Sequence, residues 1–135
     1  MYNRLLYIGI LLFLTPVGAE GKELQEGEWK GTLTNALGKR YKIQYNIRYQ
    51  GEDERDSFDI EMINLDLEPT PDYTYQLIDI ELSDETLRFK IPREYDTRDC
   101  ILIKQDDSKY SGECQSDKAK DGEFSQISMS PPKKT

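Results

Sequence analysis

The clearest pattern in the chain is the run Y-K-I-Q-Y-N-I-R-Y over residues 41–49. Its odd positions, Tyr41, Ile43, Tyr45, Ile47 and Tyr49, are aromatic or β-branched, and its even positions, Lys42, Gln44, Asn46 and Arg48, are polar. Side chains alternate faces along a strand, so this run predicts one antiparallel strand with a buried face and a wet face. Upstream, G-E-W-K-G-T-L over 27–33 puts Trp29, Gly31 and Leu33 on a common face. With Leu33 opposite Tyr41 across the turn N-A-L-G at 35–38, Gly31 falls opposite Ile43 and Trp29 opposite Tyr45. The apolar faces coincide in that register, which predicts a hairpin. Gly31 then lets the sheet coil or a partner residue lie over it.

Residues 58–67 and 73–82 read as the next pair, around Pro69-Thr70-Pro71-Asp72. Here the alternation changes phase. Apolar positions run Phe58, Ile60, Met62 and then Ile63, Leu65, Leu67; in the second segment they run Tyr73, Tyr75, Leu77 and then Ile78, Ile80, Leu82. If the pair is centred on Thr70, Met62 faces Ile78, Ile63 faces Leu77 and Leu65 faces Tyr75, so both strands change buried face at one level. A strongly twisted ribbon, whose tip offers Leu65, Leu67, Tyr73 and Tyr75 to another molecule, accounts for this; so does a pair of compensating bulges. Further strands are expected at 86–92, with Leu82 set against Leu87 and Pro92 ending the ladder, at 99–105, at 109–115 and at 124–129. Residues 93–98 read as a loop.

Eight strands joined by hairpin-length loops, with no helical periodicity, predict an all-β antiparallel meander. Closure into a small barrel removes its exposed edges; an open sheet or a two-sheet sandwich is the competing arrangement. An eight-stranded barrel is either filled by side chains or holds one small ligand.

Residues 1–19 have the form of an export signal: Arg4, an apolar run over 5–14, and small residues at Val17-Gly18-Ala19. The apolar run is too short for the ~20 residues of a membrane span. The expectation is a single domain over 20–130, a disordered tail over 131–135, and a periplasmic or extracellular location. The formal net charge is −8 and falls by one more on loss of Arg4, which disfavours nucleic acid and suits a basic protein partner. Two cysteines in an exported domain are expected to pair. With Gln105 opposite Lys109, Cys100 lies directly across from Cys114 and Leu102 across from Gly112. The chain has no histidine, so neither a metal site nor a cofactor is expected. The carboxylates Glu52, Asp53, Glu54 and Asp56 lack calcium-loop spacing and read as a solvated hairpin tip.

Gly27-x-Trp29 at the head of an exported eight-stranded meander resembles the G-x-W opening of lipocalins and the wider calycin group, avidins included. The segment 29–33 is similar to the first strand of small bacterial lipocalin-like domains. No T-D-Y-x-x-Y-like segment follows. The resemblance implies a closed barrel with Trp29 sealing one end. Catalysis has no support, since the chain lacks a histidine base, a G-x-S-x-G elbow and a phosphate loop. Two roles are left. One is binding of a small apolar ligand inside a barrel lined by Trp29, Tyr41, Tyr45 and Tyr49. The other is binding of a protein through residues near 65–75, with inhibition of a hydrolase such as lysozyme or a protease as its specific form.

Overall fold

The computed structural model describes residues 24–50, 58–119 and 123–133. The expected export signal at 1–19, the acidic run Glu52, Asp53, Glu54 and Asp56, and the end of the expected tail lie outside the described residues. Among the described residues nine strands follow one another: β1 (Gly27–Thr34), β2 (Arg40–Tyr49), β3 (Phe58–Asn64), β4 (Thr74–Gln76), β5 (Ile78–Leu82), β6 (Thr86–Pro92), β7 (Thr97–Lys104), β8 (Tyr110–Ser116) and β9 (Ser125–Met129). A 3-10 turn, Thr70–Tyr73, precedes β4. The strands form one antiparallel sheet in the order β4-β3-β2-β1-β9-β8-β7-β6-β5. Its two edges, β4 and β5, are consecutive in the chain, which bends the sheet into a nearly closed barrel. No helix among the described residues is long and apolar enough to cross a membrane.

Where alternation is unbroken, register follows the pattern. Leu33 pairs with Tyr41, Gly31 with Ile43 and Trp29 with Tyr45. Leu82 pairs with Leu87. Cys100 pairs with Cys114 and Leu102 with Gly112, and the two cysteines are joined by a disulfide. The bridge closes a loop of sequence separation 14, which stabilises a domain by roughly 3 kcal/mol in the chain-entropy account. It suits an oxidising compartment.

The predicted 58–67/73–82 ribbon is corrected. Met62 pairs with Tyr75 and Ile63 with Thr74, so Tyr75 shares the inner face with Met62 and Ile60. β3 ends at Asn64, whose side-chain Oδ1 accepts the Asp66 N–H at 3.0 Å, a local bond that turns the chain. Leu65 and Leu67 therefore lie in a loop, and the first strand has no phase change at all. The second has a real one. Asp79 adopts a left-handed backbone (φ 51°) beside a register shift between Ile78 and Glu81. This bulge turns the inward set from Tyr75 and Leu77 to Ile80 and Leu82. It also explains why nine strands replace the expected eight: Thr74–Gln76 bonds to β3, the Leu77 N–H donates to Ile60 O at 2.9 Å, and Ile78–Leu82 then bonds to β6. One segment thus stitches both edges together.

The inward side chains fill the barrel. Tyr45, Phe89, Ile43, Ile47, Ile60, Leu87, Ile91, Leu102 and Met129 are fully buried. At Gly31 a Cβ would lie 1.8 Å from Ser128 O, so the missing side chain is what lets β9 cross closely over β1. The up-and-down course sorts the loops into two ends. One end carries the residue 24–26 lead-in and the turns at 83–85 and 105–109. The other carries the loops at 35–39, 65–73 and 93–96, together with residues 117–119 and 123–124 between β8 and β9.

Candidate functional site

The first of these ends is sealed. Leu24 is buried and the Tyr49 hydroxyl clamps it, accepting from Leu24 N–H at 2.7 Å and donating to Leu24 O at 2.5 Å. Trp29 is buried beneath, its Nε1–H donating to Gln25 O at 2.9 Å, and its ring packs near Tyr110. Tyr45 is fully buried and its hydroxyl donates to Ser128 O at 3.1 Å; burial pushes that phenol far above its usual range. The polar atoms of Trp29, Tyr45 and Tyr49 are thus bonded within the protein. Tyr41 differs. It lies half-buried at the opposite end, with the Lys39 ammonium 5.3 Å from its ring.

That opposite end is open, and each of its four loops presents a large apolar side chain to solvent. Leu37 (94% exposed) tips the β1–β2 turn, Leu65 (45%) the β3–β4 loop, Tyr95 (77%) the β6–β7 loop and Phe124 (41%) the β8–β9 loop. The described turns at the sealed end carry none: Ser83-Asp84-Glu85 and Gln105-Asp106-Asp107-Ser108-Lys109 are wholly polar. Three more exposed apolar residues, Ile78, Ile101 and Ile103, lie on strands of the outer wall. All four stand around one mouth of the barrel.

The crown is held rigid from within. Asn35 Oδ1 accepts the N–H groups of Leu37 and Lys39, which fixes the first turn. Lys42 N–H donates to Asp66 Oδ2 at 2.7 Å, tying the β3–β4 loop to β2. Arg93 grips Asp96 with two parallel bonds, Nε at 2.6 Å and Nη2 at 2.7 Å. Ser116 Oγ also donates to Asp96. Those bonds from Arg93 hold the Asp96 carboxyl down at about 2. Lys118 Nζ donates to Tyr95 O at 2.5 Å, joining the third loop to the fourth.

Between these loops lies a cleft of about 770 Å3, walled by Tyr73, Tyr75, Arg93, Tyr95 and Lys118. A second, of about 200 Å3, lies between the β1–β2 turn and the β8–β9 loop, with Leu37, Arg98, Ser116 and Ser125 in its wall. Of the four residues expected to meet a partner, Tyr73 and Tyr75 line the larger cleft and Leu65 tips the crown. Leu67 is half-buried behind them. Leu37, Tyr95, Phe124 and Arg98 were not legible as site residues. Among the described residues no group of three or more histidine, cysteine or carboxylate side chains is placed to hold a metal ion. No protein-family model, curated protein or solved structure matches the chain.

Proposed function

We propose that this chain is an exported, non-enzymatic binding module that engages a protein partner through the loop crown at the open end of its barrel. The supporting observation is the contrast between the ends: four loops with four exposed apolar tips at one, and polar turns at the other. A filled interior works against a ligand carried inside the barrel, because Tyr45 and Tyr49, two of the tyrosines that would line it, spend their hydroxyls on the protein. Loops displayed from a rigid strand scaffold are a common way to build a recognition surface. Aromatic tips give such a surface contact area at small entropic cost.

Inhibition of a hydrolase such as lysozyme or a protease is the specific form that the chain's negative charge favours. The acidic chain would be drawn to a basic enzyme. The family likeness suggested by Gly27-x-Trp29 is kept as a proposal of the same rank.

The experiment compares two double variants for binding to partners captured from the exported fraction. Leu37→Ser with Tyr95→Ser should weaken binding at least tenfold, since each tip is worth on the order of 1 kcal/mol or more at an interface centre. Glu85→Ser with Asp107→Ser, at the sealed end, should leave it unchanged. The opposite pattern would overturn the reading.

A further inference from the structure

The two long banks of the larger cleft lie wholly within the described residues, and both are rigid. One bank is the 3-10 turn Thr70–Tyr73 running into β4. It is fixed by the Asp72 N–H donating to Pro69 O at 3.0 Å and by Thr74 Oγ1 donating to Thr70 O at 2.9 Å. Thr74 between them is extended, so Tyr73 and Tyr75 fall on one side of the chain; with Asp72 they line the cleft. The other bank is the turn 93–96, closed by the Arg93 N–H donating to Asp96 O at 2.9 Å and by the ion pair of the same two residues. It presents Glu94 and Tyr95. Three phenol rings and two carboxylates thus converge on about 770 Å3, inside the range of roughly 300–1,000 Å3 that small-molecule sites occupy. Among the described residues no hydrogen bond engages the hydroxyls of Tyr73, Tyr75 or Tyr95, and no side-chain bond or ion pair engages Asp72 or Glu94. Tyr45 and Tyr49 differ, their hydroxyls being bonded within the protein.

We propose that this cleft binds a neutral saccharide, its ring faces laid on Tyr73, Tyr75 and Tyr95 and its hydroxyls bonded to Asp72 and Glu94. A sugar ring has an apolar C–H face that suits an aromatic ring, and a rim of hydroxyls that donate and accept. Ionised carboxylates only accept, so they call for a ligand rich in donors, and their bonds to hydroxyls are charge-assisted. A proline-rich peptide also packs on tyrosines, but it presents carbonyls and few donors, and would cover both carboxylates without bonding them. A cation is opposed by Arg93 and Arg98, both of which act on the Tyr75 phenol, and an anion by Asp72 and Glu94. Arg93 is itself spent on Asp96. The saccharide is either free or carried as a glycan by a partner protein. This inference goes beyond the apolar tips of the crown: it needs no protein partner, and Asp72, Tyr73 and Tyr75 are not tips.

The test is a titration followed by 1H–15N correlation spectra of the oxidised protein, reading the backbone amides of Tyr73, Tyr75 and Tyr95. The probes are cellotriose, maltotriose and triacetylchitotriose, against glycerol at equal hydroxyl concentration, an acetylated and amidated hexaproline, and N-acetyl-lysine methylamide. At least one trisaccharide should produce saturable shifts with a Kd on the order of 1 mM, and glycerol should produce none. Tyr73→Ala, Asp72→Ala and Glu94→Ala, each with retained amide dispersion as proof of folding, should weaken that binding about tenfold. Leu37→Ser, at a tip outside the cleft, and Glu85→Ser, at the sealed end, should leave it unchanged. The absence of a saturable shift from all three trisaccharides would overturn the proposal. So would tighter binding of hexaproline or of the lysine derivative, or trisaccharide binding that survives Tyr73→Ala combined with Asp72→Ala. If the saccharide is a partner's glycan, the same trisaccharide should compete with the captured partner; if it is free, capture should be unaffected, and both results agree with the proposal. Failure to capture any protein partner bears on the crown alone and leaves the titration standing.

Discussion

Arg93 and Arg98 stand five positions apart and lead opposite lives. Arg93 is paired, in a two-bond grip on Asp96, and that carboxyl is held at about 2 by the bonds it receives, first among them those from Arg93. A carboxyl lower in the folded than in the unfolded chain stabilises fully above its unfolded value and loses that contribution as pH falls through the folded one. The window here runs from about pH 4 down to about pH 2. Asp96→Asn should therefore cost on the order of 1–2 kcal/mol at neutral pH. Denaturant melts of both proteins across pH 2–7 should show that gap narrowing through the window; a gap independent of pH would refute the assignment. Arg98, by contrast, was hidden in the sequence. Residues 93–98 read as a loop because Arg98 and Asp99 are both charged, yet counting back two from an inward Cys100 places the guanidinium inside. The polar type of the residue masked its position in the pattern.

At the scale of strands, alternation was a sufficient guide wherever one face is buried, because a one-residue slip would turn every apolar side chain out to water. That is why the hairpins of β1 with β2 and β7 with β8 are read correctly, disulfide included. It failed where the chain leaves the pleat. Ile63, Leu65 and Leu67 continue an apolar alternation past the end of β3, and only the turn-forming Asn64 and Asp66 between them mark the stop. Asp79, in its left-handed conformation, then adds the bulge that shifts Ile80 and Leu82 inward; aspartate tolerates that backbone, and nothing in the apolar pattern announces it. Gly31 was legible as a close approach, and its consequence can be measured. Gly31→Ala would drive a Cβ to 1.8 Å from the Ser128 carbonyl, a backbone atom that cannot rotate away. The substitution should cost about 3 kcal/mol or more, read as a fall in the urea midpoint of the oxidised protein. A midpoint within error of the original would show that β9 can retreat from β1.

For the molecule as a whole, the two ends of the barrel are built differently. Its sealed end spends Leu24, Trp29 and Tyr49 on closing the core; its open end spends four apolar loop tips on nothing inside the chain. The fold class was legible because many short strands with turn signals have few other arrangements. The crown was not, because Leu37, Tyr95 and Phe124 sit in turns, where single apolar residues carry no periodic signal; they become a surface only when the strand order brings four loops to one rim. Site-specific photo-cross-linking tests this asymmetry most directly. Benzoyl-phenylalanine is placed at position 95 on the crown or at position 107 on the sealed end, and each protein is irradiated in the exported fraction. The account predicts a discrete adduct of one partner mass from position 95 and none from position 107; adducts confined to position 107, or absent from position 95, would contradict it.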